Sequence, residues 1–352
     1  SYTGNQWQNF YSVGAGWLMS EEKFMKDISW LDMLKLKGSW GTLGNQNLST
    51  AYPAEPLLKN AYSAIFGKPS IIYPGYQLAY LPNPNLRWEK VEAWEVGFET
   101  NMLRNRLHLE GVFYKKNTKD LLAEVPGISG TIPGIGNLGE IRNSGVELAA
   151  TWRDQIGDWG YSVSANLTTI SNKVKSLVQE GYSIIAGDKS QSYTMAGYPI
   201  GYFYGYKVDG VYQSPEDIAS SPTNTLATVT PGDLKFKDVN GDGKITPEDR
   251  TMIGNPTPKV TYGFSLGVDY KNWSLGIDMM GQGGNKIFRT WDNYNFAQFN
   301  YLEQRLDRWH GEGTSNTQPL LNTKHSINNL NSDYYIEDGK FFRIRNVQLA
   351  YT

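Results

Sequence analysis

The sequence predicts an all-β fold, a transmembrane antiparallel β-barrel of about ten strands with long extracellular loops. Three observations indicate this fold. Apolar and polar side chains alternate with period two, as in strands whose two faces meet different surroundings. Aromatic side chains stand where these alternating segments meet turns. Very short turns also alternate along the chain with long connections, which is typical of membrane barrels.

The clearest alternation spans residues 261–280 and is interrupted by a tight turn at Lys271 and Asn272. One face carries apolar side chains, and the other face carries mainly small or polar ones. The apolar face consists of Tyr262, Phe264, Leu266, Val268 and Tyr270, followed after the turn by Trp273, Leu275, Ile277 and Met279. This pattern predicts a β-hairpin with one apolar face.

The same alternation predicts further strands along the chain. In chain order they cover residues 34–40, 94–98, 107–113, 146–152, 161–169 and 347–351. Long connections cover residues 44–86 and 282–340. Within the second of them, apolar side chains at helical spacing over residues 301–309 predict one short amphipathic helix.

Alternation alone fits both a soluble sandwich and a membrane barrel. In a sandwich the apolar faces form the core, whereas in a barrel they meet lipid and the inner face is polar. Trp and Tyr next to the turns favour the barrel, because aromatic girdles mark membrane interfaces. No run approaches the roughly 18 apolar residues of a transmembrane helix. A barrel strand needs no such run, since it shows lipid only every second residue.

Composition and motifs exclude several functional classes. The 352 residues carry a net charge of −2 without a basic block, which argues against nucleic-acid binding. Cysteine is absent, and with it disulfides and thiolate chemistry. The three histidines, His108, His310 and His325, lie in no metalloprotease or triad context. The G-x-G-x-x-G at residues 134–139 lacks the flanking strand and helix of a nucleotide site. We therefore expect no enzyme.

Residues 238–249 match the 12-residue calcium-loop template. Position 12 of the template is Glu, and the shorter Asp249 resembles the dockerin variant of the loop. The expected ion is a structural Ca²⁺, with Mg²⁺ as the alternative. An Asx-rich loop turned by its own side chains is the simpler interpretation. The predicted ligands are Asp238, Asn240, Asp242, the Lys244 carbonyl, Thr246 and Asp249.

Residues 197–212 are dense in aromatic side chains. Such rings stack on sugar faces or hold peptide side chains. The alternative is an aromatic strand that packs in the barrel and at its rim. The candidate substrate contacts are Tyr202, Tyr204 and Tyr206, together with Trp291 and Tyr294.

Ordered motifs along the chain resemble the SusC-like (RagA-like) branch of TonB-dependent outer-membrane transporters, found in Bacteroidetes. They include LKLKGSWG at 34–41, NPNLRWEK at 83–90, YKKNTKDLL at 114–122 and NSGVE at 143–147. The aromatic run at 197–213, the loop at 231–249 and NPTP at 255–258 follow in the same order. Together these motifs span nearly the whole chain.

The resemblance implies a bacterial outer-membrane protein that imports glycan fragments or oligopeptides, driven through TonB. Members of the family combine a barrel of about 22 strands with a plug. They pair with a SusD-like surface lipoprotein. Residues 1–352 resemble the C-terminal barrel portion, with the plug, the TonB-contacting segment and the final strands absent. The alternative is a soluble extracellular glycan-binding or dockerin-like calcium module.

Overall fold

A computed structural model describes residues 7–45, 55, 57–80, 82–125, 134–179, 181–290, 301–321 and 326–352, except for the side chains of residues 61, 62, 124 and 125. The first half contains the strands β1 (Ser12–Leu18), β2 (Leu31–Asn45), β3 (Leu58–Phe66), β4 (Ile71–Leu78), β5 (Glu89–Met102), β6 (Leu107–Lys119), β7 (Leu122–Val125), β8 (Gly134–Asn137), β9 (Gly139–Ile156), β10 (Trp159–Thr169), β11 (Ser171–Leu177) and β12 (Ser183–Ala186).

The second half contains β13 (Ser192–Met195), β14 (Tyr202–Gly205), β15 (Val208–Val211), helix α1 (Pro215–Ser220), β16 (Thr223–Asn224), β17 (Leu234–Phe236), β18 (Lys244–Ile245), β19 (Thr251–Gly254), β20 (Val260–Tyr270), β21 (Trp273–Gly283), β22 (Lys286–Phe288), β23 (Ile336–Asp338) and β24 (Phe341–Tyr351). Single 3-10 turns cover Met19–Glu21, Pro247–Asp249, Glu303–Asp307, Ser326–Asn329 and Asp333–Tyr335. Among the described residues, no helix is long and apolar enough to span a bilayer.

The main sheet has ten antiparallel strands within the described ranges. Nine of them follow the order β1-β2-β5-β6-β9-β10-β20-β21-β24, and β11 pairs with the beginning of β9. Sequence neighbours are mostly sheet neighbours, because tight turns join β5 to β6, β9 to β10 and β20 to β21. All three turns lie at one end of the sheet, which we call the short-turn end. The predicted strand count and hairpins are confirmed.

The strand register places the apolar side chains of different strands on one face. One row of nine paired positions crosses all nine strands of the path and contains only apolar residues and glycine. It consists of Trp17, Leu36, Phe98, Gly111, Leu148, Leu167, Tyr262, Gly281 and Phe342. Because a one-residue slip would move every side chain to the other face, this row fixes the register.

A second body stands at the opposite end of the sheet, which we call the long-loop end. It consists of residues 181–259 and the described residues of 284–340, and we call it the loop domain. Its core is formed by Tyr206, Val211, Leu234, Phe236, Ile245 and Ile327. The two segments are joined through buried Asn328, which donates to Asp233 and accepts from the Leu234 backbone N–H, at 2.9 and 2.8 Å. The long connections are therefore folded structure rather than linkers.

Two sequence predictions are corrected here. The expected amphipathic helix at 301–309 is a single 3-10 turn, Glu303–Asp307. It buries Arg305 and exposes Leu306, because the Arg305 guanidinium bonds the Tyr334 hydroxyl at 2.5 Å. The aromatic run at 197–212 forms β14 and β15 of the loop domain, and not a strand of the main sheet.

Candidate functional site

The inner face of the main sheet, opposite the apolar rows, is polar and hydrogen-bonded. Lys37 on β2 pairs with Glu110 on β6 across the intervening strand. Further along the face, the Ser265 hydroxyl donates to Asp278 at 2.7 Å. Small residues beside Lys35, Lys37 and Glu95 leave a concavity of about 350 Å³. Such a face suits contact with water or polar ligands rather than with lipid.

The outer face ends in stacked aromatic side chains at the short-turn end. Trp159 stacks on Tyr270 with ring centroids 4.3 Å apart, and Trp273 packs against Tyr351 at 4.9 Å. Towards the long-loop end, Trp40 and Trp94 pair directly across β2 and β5. Two aromatic belts therefore bracket an apolar band, which is the arrangement expected at the two interfaces of a membrane.

The predicted aromatic contacts are distributed between the interior and the surface of the loop domain. Tyr202 is buried and stacks on Tyr198 at 4.8 Å, and burial raises the pKa of its phenol to about 12, with Tyr198 and Tyr204 adding to the effect. Tyr206 is also buried and stacks on Phe236 at 4.8 Å. Tyr204 is half-buried beneath the Arg250 guanidinium. Surface contact with a ligand is therefore open to Tyr204 but not to its two buried neighbours in this conformation.

Among the described residues, the histidines form no second site. Trp291 and Tyr294 lie outside the described residues, as does His325. His108 faces inward on β6 and bonds Asn101 at 2.7 Å, while exposed His310 bonds the Arg308 carbonyl. The described histidines therefore lie far apart in the fold, one in the sheet and one in the loop domain.

The cation loop separates into two groups of side chains. Asn240 and Asp242 are exposed and Asp238 is half-buried, and all three accept hydrogen bonds from backbone N–H groups of the same loop. Asp249 is fully buried, and its two oxygens accept from the Val239, Asn240 and Thr246 N–H groups and from the Thr246 hydroxyl. Despite burial, these bonds lower the pKa of Asp249.

The sequence-derived ligand set is therefore not gathered around one point. Within the described chain, no group of three acidic or histidine side chains converges as a metal site would. Gly241 and Gly243 have φ of +77° and +80°, as the sharp loop requires. The first group fits a hard cation by its chemistry, because Asp238, Asn240 and Asp242 offer side-chain oxygen atoms and Lys244 offers a backbone carbonyl. Asp249 and Thr246 instead hydrogen-bond to each other and hold the loop closed.

Two buried arginines hold the loop domain together, and neither was identified from the sequence. Arg289 donates to the Tyr334 carbonyl at 2.9 Å and lies over the Tyr334 ring. Arg305 reaches the hydroxyl of the same tyrosine. No local pattern reveals such pairs, since the partners stand 45 and 29 residues apart. The inner Lys37–Glu110 pair was missed for the same reason, since it needs the strand register.

Comparison with known proteins assigns this architecture to a family. The family model described as TonB dependent receptor-like, beta-barrel, matches residues 1–285. The chain belongs to the TonB-dependent receptor family. Receptors of this family are outer-membrane β-barrels, so the apolar face of the sheet meets lipid and the polar face lines the lumen. Short turns are periplasmic and long loops extracellular in such barrels, which makes the loop domain extracellular.

Individual TonB-dependent receptors match over almost the whole chain. TonB-dependent receptor P26 of Formosa agariphila is 29% identical over 357 residues, covering 99% of this chain and 36% of that protein. TonB-dependent receptor SusC of Bacteroides thetaiotaomicron is 27% identical over 369 residues, covering 99% and 34%. The solved RagAB peptide transporter superposes with a TM-score of 0.80 at 25% identity, covering 99% and 37%. The chain thus spans about a third of the length of these relatives.

The family assignment decides between the alternatives left open by the sequence. The predicted resemblance to SusC-like and RagA-like receptors is confirmed, as is the outer-membrane location. The soluble glycan-binding or dockerin-like module is not supported, because the strands that carry the family match form the membrane barrel. The family consists of transporters and receptors rather than enzymes.

Proposed function

We propose that the protein imports glycan fragments or oligopeptides across the outer membrane, driven through TonB and assisted by a SusD-like lipoprotein. The observation that carries this proposal is the similarity to the RagAB peptide transporter, which extends over 99% of the chain and so includes the loop domain. The relationship to SusC supports the same class of transport. The chain spans about a third of the length of these relatives, and in the proposed transport TonB and a plug would act through the rest of the full-length receptor.

The two faces of the structure suit this role. The lumenal face offers paired charges and hydroxyl groups, which can exchange hydrogen bonds with a hydrated peptide or sugar. The loop domain stands at the extracellular end with a closed core, so it can present a fixed surface to a ligand or companion. Tyr204 and the exposed ring of Tyr198 contribute aromatic surface there. Trp291 and Tyr294 remain predicted contacts.

Uptake in cells that carry the complete gene tests the proposal. Labelled oligopeptides and oligosaccharides should accumulate in the periplasm only when TonB is intact, and a surface lipoprotein should purify together with the receptor. Preferential uptake of the labelled oligopeptides or of the labelled oligosaccharides assigns the substrate class. Uptake that continues without TonB, from a receptor that purifies alone, would contradict the proposal.

We also propose that the extracellular loop at 238–249 binds a structural Ca²⁺, with Mg²⁺ less suited because the ligands are flexible oxygens. Asp238, Asn240, Asp242 and the Lys244 carbonyl would hold the ion. Its positive charge would draw these oxygens together and stiffen the loop. Asp249 and Thr246 would support the loop from below through their mutual bonds.

Calorimetry on the full-length receptor tests the calcium proposal. Asp242→Asn should abolish Ca²⁺ binding and leave the fold of the loop domain unchanged, since Asp242 is exposed. Asp249→Asn should instead loosen the loop with or without Ca²⁺, because it loses buried hydrogen bonds. Absence of measurable Ca²⁺ binding by the unmodified receptor would refute the proposal.

A further inference from the structure

The outer face of the barrel changes character abruptly towards its extracellular end. On β6 the outward positions Leu107 to Phe113 are apolar or glycine, and the next outward positions are Lys115, Asn117 and Lys119. On β9 the apolar outward positions stop at Val146, and Ser144 and Arg142 follow. On β5, Trp94 is followed by Glu92 and Lys90. The change therefore occurs on three adjacent strands.

The position of this change agrees with the outer boundary of the bilayer. The apolar band of such barrels is about 25 Å tall and its strands are tilted by about 40°, so a strand crosses it in about ten residues. Counting along β9 from Ile156 in the aromatic belt of the periplasmic end, ten residues lead to Val146. Arg142 and its neighbours on β6 then lie at the level of the outer-leaflet headgroups.

Basic side chains predominate at this level. Register and contacts place five of them on the outward side, and the only carboxylates at this same level, among the described outward positions of these strands, are Glu92 and Glu140. Cross-strand contacts confirm the shared face: Lys119 pairs with Glu92 at 3.0 Å, and the Lys115 ammonium lies over Trp94. The five basic residues, which we call the basic belt, are Lys90, Lys115, Lys119, Arg142 and Lys173.

We propose that the basic belt binds the phosphate groups of outer-leaflet glycolipids. The outer leaflet of this membrane presents acyl chains beside the apolar band and phosphorylated sugars directly above it, so charge and depth both match. The Arg142 Nε donates to Asn117 at 2.9 Å, which fixes the plane of a guanidinium suited to phosphate. Trp40 and Trp94, just below, would contact the boundary between the acyl chains and the headgroup sugars.

The belt lies on the side of the sheet opposite the lumen, so its ligand is distinct from the imported substrate. Lys116, the neighbour of Lys115 on β6, points to the lumen and pairs in register with Asn143. This pair of lysines differs in face but hardly in depth, although Lys115 is half-buried beside Trp94 and Lys116 is exposed. It therefore provides a matched control within one strand.

Binding of fluorescent bisphosphorylated lipid A to the full-length receptor in zwitterionic detergent tests the proposal. Lys115→Gln should weaken binding about fivefold, the contribution of one basic side chain near a charged lipid surface. The triple change of Lys115, Arg142 and Lys173 to Gln should weaken it at least about tenfold. Lys116→Gln should leave it unchanged. Heat-modifiable migration in electrophoresis verifies that each variant is folded.

Two further probes identify the recognised chemistry. Dephosphorylated lipid A should bind more weakly than the phosphorylated form, and added salt should abolish the difference by screening. Millimolar inorganic phosphate should not displace the lipid, since acyl chains contribute to the site. Equal losses for Lys115→Gln and Lys116→Gln, equal binding of the dephosphorylated lipid, or displacement by inorganic phosphate would each overturn the proposal.

Discussion

The main sheet and the loop domain bury their apolar side chains in different surroundings. In the loop domain, Tyr212, Leu234 and Phe236 are at most 1% exposed, because the two chain segments enclose them. In the sheet, Val96 and Val347 remain about 60% exposed within the protein, at 57% and 61%. Lipid supplies the second layer that the sheet lacks. The loop domain thus buries its apolar side chains within the protein, whereas the sheet buries them against lipid. The same substitution therefore has different consequences in each region.

The largest contrast is expected between neighbouring positions on β20. Phe264→Arg would place a charge in lipid and should destabilise the assembled barrel by about 2–4 kcal/mol near the midplane. Ser265→Arg faces the lumen beside Asp278 and should have a much smaller effect. Urea unfolding of the full-length receptor in lipid vesicles measures both. Equal free-energy losses would remove the distinction between the two faces.

The closed core of the loop domain should be sensitive to added volume. Gly232 has φ of +96°, and a Cβ there would meet the Trp309 ring at 2.6 Å and the Leu320 side chain at 2.7 Å. Gly232→Ala should therefore cost about 2–4 kcal/mol of local stability from strain and overpacking together. Gly313→Ala shares the positive φ but has open space around it, so it carries only the strain.

Hydrogen exchange of the loop domain distinguishes the two glycine variants. Amides of β15 and β17 pair with each other and lie beside the altered position, so they report opening of the core. We expect faster exchange there in Gly232→Ala and near-normal exchange in Gly313→Ala. A similar change in both variants would show that the enclosed packing around Trp309 has no role.

The contribution of a hydrogen bond to stability should also differ between the two regions. Asn328→Ala removes a fully buried amide that serves Asp233 and the Leu234 N–H, and should cost about 1–3 kcal/mol. Thr151→Ala removes a 3.0 Å bond to Ser164 on the lumenal face, where water replaces the lost partner. Its cost should stay below about 0.5 kcal/mol. Thermal unfolding of the loop domain and of the barrel, each monitored by proteolysis, measures the loss of stability in the two variants.

The smallest expected effect is on the stability of the loop domain at acidic pH. A hydrogen bond from Lys235 at 2.8 Å, assisted by the Gln213 N–H, lowers the pKa of Asp217 in the loop domain. The folded state therefore binds this proton less readily than the unfolded state, whose carboxyl titrates near pH 3.9. The stabilisation is present above about pH 4 and is lost as the pH falls through the lower folded pKa.

Asp217→Asn should make the stability of the loop domain less dependent on pH in that acidic window. The barrel should respond equally in both proteins, which provides an internal reference. Proteolysis of the loop domain at pH 3 and pH 6 measures the difference. If the ratio of the proteolysis rates at pH 3 and pH 6 is the same with and without the substitution, the Asp217–Lys235 pair does not contribute to stability.

The sheet could be predicted from the sequence because its information is local. Alternation over residues 261–280 fixed a hairpin, and the turn at Lys271 fixed its ends. The loop domain could not be predicted, because its core joins segments far apart in sequence, such as Asp233 and Asn328. Helical spacing at 301–309 was misleading for a related reason. It contains no sign that Arg305 would be buried against Tyr334.

The cation loop shows the same limit at a smaller scale. Spacing identified the residues of the template but gave no information on which of them the loop would use for itself. In the structure Asp249 is bound by backbone donors, whereas Asp242 remains exposed. A match to the template therefore predicts residues near a site better than it predicts their separate roles.

Alternating accessibility along β20 tests the central claim, that the apolar face meets lipid and the polar face lines the lumen. These 352 residues contain no cysteine, so single cysteines introduced at 262–267 can carry spin labels with no other labelling site in this part of the receptor. In full-length receptor reconstituted in lipid, labels at Phe264 and Leu266 should be relaxed by lipid-soluble oxygen. Labels at Ser265 and Gly267 should be relaxed by a water-soluble nickel chelate. Uniform or inverted accessibility across the six positions would contradict the account.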